Sequence, residues 1–125
     1  MLVKCINSFR NQIRVESIYL VLEVLIKRTN NMISYRIIDE DGYPAIYDAD
    51  NFIIVSNNMN HFSIFLDNKM LILSHTLILN SELNKKHIEG FWGLFIEDDT
   101  EARTLLQKVI DNLALEENIS SAILN

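Results

Sequence analysis

The chain has 125 residues, of which 49% are hydrophobic, with one cysteine and a formal net charge of −6 at pH 7. This length predicts one domain spanning residues 1–125, with enough apolar side chains for a core that needs neither disulfide nor metal. The lone Cys5 excludes an internal disulfide and fits a reducing compartment. Because no apolar run approaches the roughly 18 residues that span a bilayer, we expect a cytoplasmic protein with no membrane partner.

Charge is distributed unevenly along the chain. Residues 1–36 carry six basic and two acidic side chains, whereas residues 37–125 carry five basic and fifteen acidic ones. The acidic body should repel nucleic acid and attract basic surfaces. Basic side chains spread thinly over the first 36 residues are more typical of a solvated face than of a phosphate-binding stripe, so we expect no nucleic-acid partner.

The first predicted element is a helix over residues 6–28. Apolar side chains recur there every three to four residues, at Ile6, Phe9, Ile13, Leu20 and Val24. That spacing is typical of an amphipathic helix. The apolar density of residues 17–28 would also suit a buried strand, and the sequence leaves this alternative open.

A β-rich middle follows this segment. Short stretches rich in Ile, Phe and Tyr, separated by Asn, Asp and Gly, predict strands at residues 34–39, 44–49, 51–57, 61–67 and 69–79. Asp67-Asn68 joins the last two as a hairpin, since both residue types tolerate positive φ. Consecutive hairpins predict an antiparallel meander of four to six strands, packed on one face and solvated on the other.

The last third of the chain predicts another strand and a helix. Residues 87–98, HIEGFWGLFIED, are interpreted as a strand that follows a short helical or turn segment at residues 80–86. Asp98-Asp99-Thr100 then opens a helix over residues 99–117, whose apolar stripe packs on the sheet. The predicted fold class is α+β, with an N-terminal helix, the meander and a C-terminal helix.

The segment with the highest density of acids surrounds the dipeptide Asp41-Gly42. An EF-hand loop with Gly42 in its sixth position would place Ile37, which has no side-chain oxygen, in the first. A paired-carboxylate catalyst needs one buried acid beside an ionised one, whereas acids on a turn are normally solvated and separate. We therefore interpret the dipeptide as a hairpin turn without a metal.

No other residues form a catalytic pattern. His61, His75 and His87 are far apart and lack ligand-spaced Cys or carboxylate neighbours, and no Walker loop, GxGxxG or GxSxG occurs. For Cys5 a buried apolar role is favoured over a reactive thiol. We expect no enzyme, no metal and no cofactor; a small enzyme or ligand-binding domain remains an alternative that would require a concave apolar pocket.

Trp92 is the only tryptophan, and it lies in the stretch GFWG between Gly90 and Gly93. Flanking glycines permit close backbone approach or a bulge. The residue is interpreted as a core aromatic on a strand, and the alternative is an exposed anchor for a partner, since Trp is enriched at interface hot spots.

The acidic segments predict a binding surface for a basic protein. Carboxylates with aromatic anchors suit fast, electrostatically steered association. The predicted partner-binding residues are Asp39, Glu40, Asp41, Tyr43, Asp48, Asp50 and Trp92, with Glu97, Asp98 and Asp99 as an alternative patch.

In profile the chain resembles the immunity proteins of bacterial toxin–immunity systems, particularly those that guard against contact-dependent growth inhibition toxins. The resemblance covers the whole chain and rests on the acidic segments IDEDG, YDAD and IEDDTEA, the α+β order and the lack of a catalytic motif. It implies a cytoplasmic protein that binds and neutralises a basic toxin domain, typically a nuclease. These proteins share no diagnostic motif, so the resemblance assigns no residue a role.

The order of helix, strands, short helix, strand and helix is also similar to that of the small acidic chaperones of type III secretion. That resemblance implies a homodimer that binds an unfolded effector segment. The sequence therefore leaves both a monomer and a homodimer open.

Overall fold

A computed structural model describes residues 1–8 and 10–124, and this part of the chain forms seven strands and three helices. The strands are β1 (Leu2–Cys5), β2 (Ile18–Lys27), β3 (Ile33–Ile38), β4 (Pro44–Asp48), β5 (Phe52–Ser56), β6 (Phe62–Leu66) and β7 (Met70–His75). The helices are α1 (Thr76–Leu79), α2 (Gly90–Ile96) and α3 (Thr100–Glu116), with 3-10 turns at Ala49–Asn51 and Glu82–Lys85. The predicted α+β class, antiparallel sheet and C-terminal helix are confirmed. Among the described residues, no helix has the length and apolar character needed to cross a membrane.

All strand pairs are antiparallel, and the sheet forks at β2. One edge of β2 pairs with β3, which pairs with β4. The other edge pairs first with β1, where Leu20 faces Leu2, and then with β7, where Lys27 faces Met70. Because β5 lies outside β1 and β6 lies outside β7, the sheet has two separate branches on that side.

The branch that contains β1 and β5 curls into a partly closed barrel, which we call the closed half. The sheet order is β4–β3–β2–β1–β5, yet the turn Ala49–Asn51 alone joins β4 to β5. Three residues span only about 10 Å, so the two ends of this order must approach each other. The interior is apolar and contains Met1, Val3, Cys5, Ile13, Tyr19, Val21, Val24, Tyr35, Ile37, Tyr47 and Phe52.

Helices α2 and α3 cover the other face of the closed half. Their apolar side chains pack with those of β1 and β2 in a second core made of Leu2, Leu20, Leu22, Ile38, Ile78, Leu83, Phe91, Leu94, Phe95, Ala102, Leu106, Val109, Ile110 and Leu113. At the start of α3, Asp99 Oδ1 accepts the Ala102 N–H at 2.9 Å, which supports the predicted helix start.

A β-bulge in β2 changes which side chains face the helices. The register with β3 shifts between Val21 and Glu23. As a result Leu22 packs in the helix-side core while Glu23 bonds to Trp92 of α2, so two successive residues serve the same face. A regular strand would have placed them on opposite faces.

The hairpin β6–β7 and the C-terminal half of β2 form the second branch, which we call the open half. The predicted turn at Asp67-Asn68 is present: the Asp67 N–H donates to Met70 O at 3.0 Å. Asp67 Oδ1 accepts the N–H groups of Lys69 and Met70, both at 2.8 Å, and these bonds lower the pKa of that carboxyl. The outer strand, β6, is apolar and exposed: the exposed fractions of Ile64, Phe65 and Leu66 are 67%, 49% and 57%.

The predicted helix over residues 6–28 is wrong. Residues 2–5 form β1, and β2 begins at Ile18, so the strand alternative for residues 17–28 was the correct one. β2 lies between the barrel interior and the helices, and a strand buried on both faces carries an almost continuous apolar run that mimics helical spacing. Phe9, part of the supposed stripe, lies outside the described residues.

Three other predicted elements need correction. Within the described part of the chain the sheet has seven strands rather than four to six, and its order is forked rather than that of a meander. The strand over residues 69–79 ends at His75, and α1 follows. Residues 87–98 contain α2 (Gly90–Ile96) and no strand, because Phe91, Leu94 and Phe95 lie three and four residues apart and are all buried on one helix face.

Candidate partner-binding site

The acidic stretch around Asp41-Gly42 forms the turn between β3 and β4. Asp39 is buried, and its Oδ1 accepts the N–H groups of Asp41 (3.0 Å) and Tyr43 (3.2 Å). Its Oδ2 accepts the Tyr47 hydroxyl at 2.9 Å, and burial together with this bond raises the pKa of Tyr47 well above its usual value. Gly42 has a φ of 72°, a left-handed backbone conformation that glycine adopts without steric strain. Asp39 therefore stabilises the turn instead of facing a partner.

Glu40 ties this turn to the loop before β2. Its Oε1 accepts the Tyr19 hydroxyl at 2.7 Å, and its N–H donates to Gln12 O at 2.8 Å. Burial, and secondly the hydrogen bond to Glu40, raises the pKa of Tyr19 to about 12. The carboxylate thus has a defined intramolecular bond, although the residue is exposed.

Asp48 and Asp50 lie at the far end of β4. Asp48 faces Ser34 in the sheet, whereas the acidic turn lies beyond the pair Pro44 and Ile38. Asp48 and Asp50 are exposed and border a shallow depression with Asn30 and Asn31. The structure therefore divides the first predicted patch into two places.

The alternative patch at the end of α2 also makes intramolecular contacts. Glu97 Oε1 lies 2.9 Å from His87 Nε2, and Arg103 Nη1 donates to Asp98 Oδ1 at 3.3 Å. Asp99 caps α3. Glu97 and Asp98 remain largely exposed, so their charges still face solvent.

The turn and the end of α2 meet through an aromatic contact. The ring centroids of Tyr43 and Phe95 lie 5.9 Å apart, and the Arg103 guanidinium lies 5.4 Å from the Phe95 ring. Tyr43 of the first predicted patch therefore lies beside the end of α2 that carries the second patch, more than fifty positions away in sequence, and the two are adjacent parts of the surface. We call this surface the acidic ridge; its residues are Asp41, Tyr43, Ile96, Glu97 and Asp98.

A cleft of about 540 Å³ lies beside the acidic ridge, between the open half of the sheet and the start of α2. We call it the Trp92 cleft. Its apolar walls come from both sides and include Leu25, Phe65, Ile72, Leu79, Phe91 and Trp92. Asp67 and Glu89, both exposed, add negative charge, and Ile88 beside them is 98% exposed.

Trp92 is held in the cleft wall by a buried ion pair. Its Nε1 donates to Glu23 Oε2 at 3.0 Å, and Arg36 Nε donates to Glu23 Oε1 at 3.0 Å. The Arg36 guanidinium also lies 3.9 Å from the centre of the indole ring. Charged hydrogen bonds and a cation–π contact of this kind fix the orientation of the indole.

Trp92 is thus neither a core aromatic on a strand nor a freely exposed anchor. Its ring packs edge-on against Phe91 (5.0 Å) and Phe95 (5.9 Å), while the side chain is only partly buried and lines the cleft. The contact with Phe95 connects the cleft to the acidic ridge. The sequence held one signal for this site: Glu23 interrupts the apolar run YLVLEVLI, and a buried carboxylate requires a partner.

The histidines form a small separate cluster at the end of β7. The rings of His61 and His75 stack at 5.7 Å, and His61 Nε2 lies 2.5 Å from Glu116 Oε1. His75 Nδ1 accepts the Leu77 N–H, which leaves the Nε2 proton facing Asn112, and burial lowers the His75 pKa. Cys5 is fully buried, and burial raises the pKa of its thiol. Residues 1–8 and 10–124 hold no group of three or more His, Cys, Asp or Glu arranged to bind a metal ion.

Comparison of the chain with protein-family models, curated proteins and solved structures gives no match.

Proposed function

We propose that this protein is an immunity-type inhibitor that binds a basic toxin domain through the Trp92 cleft and the acidic ridge. The observation that supports this most is the continuity of the two: one fixed tryptophan lines an apolar cleft and contacts the aromatic ring beneath the acidic ridge. An aromatic-lined pocket inside a charged rim is the usual composition of a protein-binding hot spot.

Charge determines which partner suits the surface. In the cleft the Arg36 charge is matched by Glu23 at 3.0 Å, and Arg28 and Lys69 lie close to Asp67, so Glu89 is the lining carboxylate without a basic neighbour in the lining. The ridge adds the exposed carboxylates of Glu97 and Asp98. A basic partner is attracted from a distance by these charges and associates faster at low salt.

The shape of the cleft suits a long basic side chain. A lysine or arginine stem would pack on Phe65 and Ile72 while its charged head stays near Asp67 or Glu89. A toxin that uses basic residues to bind phosphate would lose access to nucleic acid when those residues are covered. Neutralisation then needs no chemistry by the inhibitor itself.

The alternative, a dimeric secretion chaperone that binds an effector segment, is favoured by a different feature. The apolar residues of β6 in the open half are exposed on an edge strand, and such edges pair readily with other extended segments.

The first experiment is capture of partners from the source organism's lysate, with washes at about 150 mM and 1 M salt, where the Debye length falls from about 8 to 3 Å. Support requires a basic protein that binds with fixed stoichiometry and loses its toxic activity in the complex. An unfolded client that is recovered without loss of any activity would instead support the chaperone.

The surface is then tested with two double charge reversals measured against the captured toxin. We expect Glu89→Lys with Glu97→Lys to weaken binding at least tenfold, mainly through slower association. Asp48→Lys with Asp50→Lys makes the same charge change on the separate predicted patch and should change affinity less than twofold. If the second pair has the larger effect, or if neither has any, the Trp92 cleft and acidic ridge are not the binding surface.

A neutral contact provides an independent test. Ile88 lies at the cleft and is 98% exposed, so we expect Ile88→Lys to leave the fold intact. It should weaken binding about tenfold by placing a repelling charge beside the incoming basic side chain. Leu115→Lys, a matched change at a residue of α3 that is 77% exposed, should have no effect.

A further inference from the structure

Strand β6 is an open apolar edge of the sheet. It contains no charged residue, and Ile64, Phe65 and Leu66 are exposed although they alternate between the two faces. Within residues 1–8 and 10–124, only β7 pairs with it. Soluble proteins usually protect such an edge with charges, proline or a covering element, because an exposed apolar edge binds other strands.

Backbone hydrogen bonds define which groups of β6 point outward. The His61 carbonyl accepts the Thr76 N–H at 2.9 Å, and the Asp67 N–H donates to Met70 O at 3.0 Å. The backbone N–H and C=O groups of the odd-numbered residues of β6 therefore point toward β7. Polar backbone groups alternate along a strand. The backbone N–H and C=O groups of Phe62, Ile64 and Leu66 therefore point away from β7, toward the open edge. Of these three N–H groups, only that of Phe62 is already bonded, to Met59 O at 3.0 Å.

We propose that β6 is a homodimer interface in which two copies of this chain pair β6 antiparallel across a twofold axis at Ile64. In this register Ile64 faces Ile64 of the second copy, and Leu66 faces Phe62. The two Ile64 residues exchange two hydrogen bonds, and each Leu66 N–H donates to the opposite Phe62 carbonyl. The two sheets then form one continuous antiparallel sheet.

The register is the one that uses the whole strand. An axis at Phe62 would pair residues before the strand with its middle, and an axis at Leu66 would pair residues beyond the hairpin turn. With the axis at Ile64, every residue from Phe62 to Leu66 has a partner.

Charge complementarity favours a second copy over an unrelated strand. In this register the His61–Glu116 pair of each copy lies opposite the Asp67 turn of the other, where Arg28 and Lys69 are close to Asp67, so acidic and basic groups meet at both ends of the uncharged strand. The same self-complementary arrangement would not be expected for a foreign peptide. A twofold interface of this kind requires that residue i faces residue j and j faces i.

The dimer also changes the Trp92 cleft. Phe65, which lines the cleft, would be the diagonal neighbour of Phe65 from the second copy, about 7–8 Å away. The two clefts would thus lie on the same face of the joined sheet, and each copy would extend the apolar wall of the other. The dimer is measured without any toxin, so its failure would leave the proposed inhibitor function untouched.

A cysteine scan along β6 tests both the dimer and its register. Two Ile64 residues in a hydrogen-bonded antiparallel pair have Cα atoms about 5.5 Å apart, within the range that a disulfide spans. Ile64→Cys should therefore form a covalent dimer on mild oxidation. Leu66→Cys should not, because its two copies would be about 13 Å apart along the strands. The wild-type chain, whose Cys5 is buried, provides the background.

Molar mass by light scattering and sedimentation provides the second measurement. We expect the wild type to be a dimer and Ile64→Lys to weaken dimerisation at least a hundredfold, with unchanged circular dichroism. Ile54→Lys, at a residue 53% exposed on the edge strand β5, should leave the dimer intact. Ile64→Thr, which retains β propensity, replaces Ile64→Lys if the lysine variant fails to fold.

Three results would overturn the proposal: a wild type that stays monomeric at every concentration reached, equal cross-linking of the two cysteine variants, or a dimer dispersed by Ile54→Lys alone. A wild type that stays monomeric and binds an extended peptide along β6 would also overturn the proposal.

Discussion

The two halves of the sheet share β2 but bury it differently. In the closed half, Tyr19, Leu20, Val21 and Leu22 lie between the barrel interior and the helices, and none is more than 6% exposed. In the open half, Leu25 and Ile26 are only partly buried, and the strand at the outer edge is exposed. Similar aliphatic residues therefore stabilise the fold in one half and remain available for contacts with other chains in the other.

The difference shows that apolar content alone does not identify a core. Helices α2 and α3 cover the closed half, whereas the open half borders the Trp92 cleft. Substitutions in the closed half should therefore affect the free energy of unfolding, and substitutions in the open half should affect association.

The largest expected effect is that of Leu22→Ala in the closed half. Leu22 is fully buried, and removal of such a side chain leaves a cavity that costs about 4 kcal/mol of unfolding free energy. The measurement is urea unfolding followed by circular dichroism. The matched change in the open half, Leu66→Ala, should cost less than about 1 kcal/mol in the monomer because that side chain is already largely solvated. Equal losses would remove the distinction between the halves.

The second-largest effect is expected for the Glu23–Arg36 ion pair, which lies where the two halves meet. Glu23→Ala removes the acceptor for both Arg36 and Trp92, and breaking a buried pair in this way should cost about 3 kcal/mol. Since Trp92 is the only tryptophan, its fluorescence should shift to longer wavelength in the folded variant. Glu89→Ala, an exposed acid of the same cleft, should change neither quantity. A stable variant with unchanged fluorescence would contradict the assigned role of Glu23.

A smaller effect is expected at Gly93 of α2. A Cβ there would lie 2.2 Å from His87 Nδ1, so the imidazole must move and lose its bonds to the Glu89 N–H and to Glu97. Gly93→Ala should cost about 1–2 kcal/mol. Adding His87→Ala should cause less loss than the sum of the two changes. Gly90→Ala, which is strained by its φ of 68°, should show no such coupling to His87.

The smallest expected effect is the pH dependence due to His75. Burial lowers its pKa, and the groups that face it are His61, Asn112 and Glu116. Below about pH 6.5 the unfolded chain binds a proton that the folded chain does not, so stability falls as pH decreases through that range. His75→Gln should reduce the difference between urea midpoints at pH 5 and pH 8. The lowered carboxyl pKa values of Asp67 and Asp111 act only below about pH 4.

The central strands, the hairpin at Asp67 and helix α3 could be predicted because their signals are local. Polar breaks separate short β-branched and aromatic runs, and an acidic cap precedes an apolar stripe with helical spacing. β2 could not be assigned because burial on both faces removes the alternation that distinguishes a strand from a helix. Helix α2 was missed because Gly90 and Gly93 suggested a bulge, whereas Gly93 leaves room for His87.

The candidate site was predictable only in part. The acidic residues of the ridge were recognisable from their density in the sequence. That the two acidic segments lie side by side was not, because this depends on the contact between Tyr43 and Phe95. The cleft depends on partners 13 and 69 residues away from Glu23, and no local pattern encodes such contacts. Asp39 shows the opposite case: it lies in the most acidic stretch of the sequence, yet its carboxylate stabilises the turn through intramolecular hydrogen bonds.

The fork in β2 has a consequence for how the chain folds. The hairpins β3–β4 and β6–β7 need only short loop closures, whereas Leu2 must find Ser56 and Lys27 must find Met70 across long stretches of chain. Pairings of this separation are slow, in the range of milliseconds to seconds. Because β1 and β7 pair with the same edge of β2, an early β6–β7 hairpin can occupy the place of β1 and must then dissociate. The bulge at Leu22 marks the boundary between the two docking positions, and a refolding phase sensitive to this residue would be the kinetic signature of that competition.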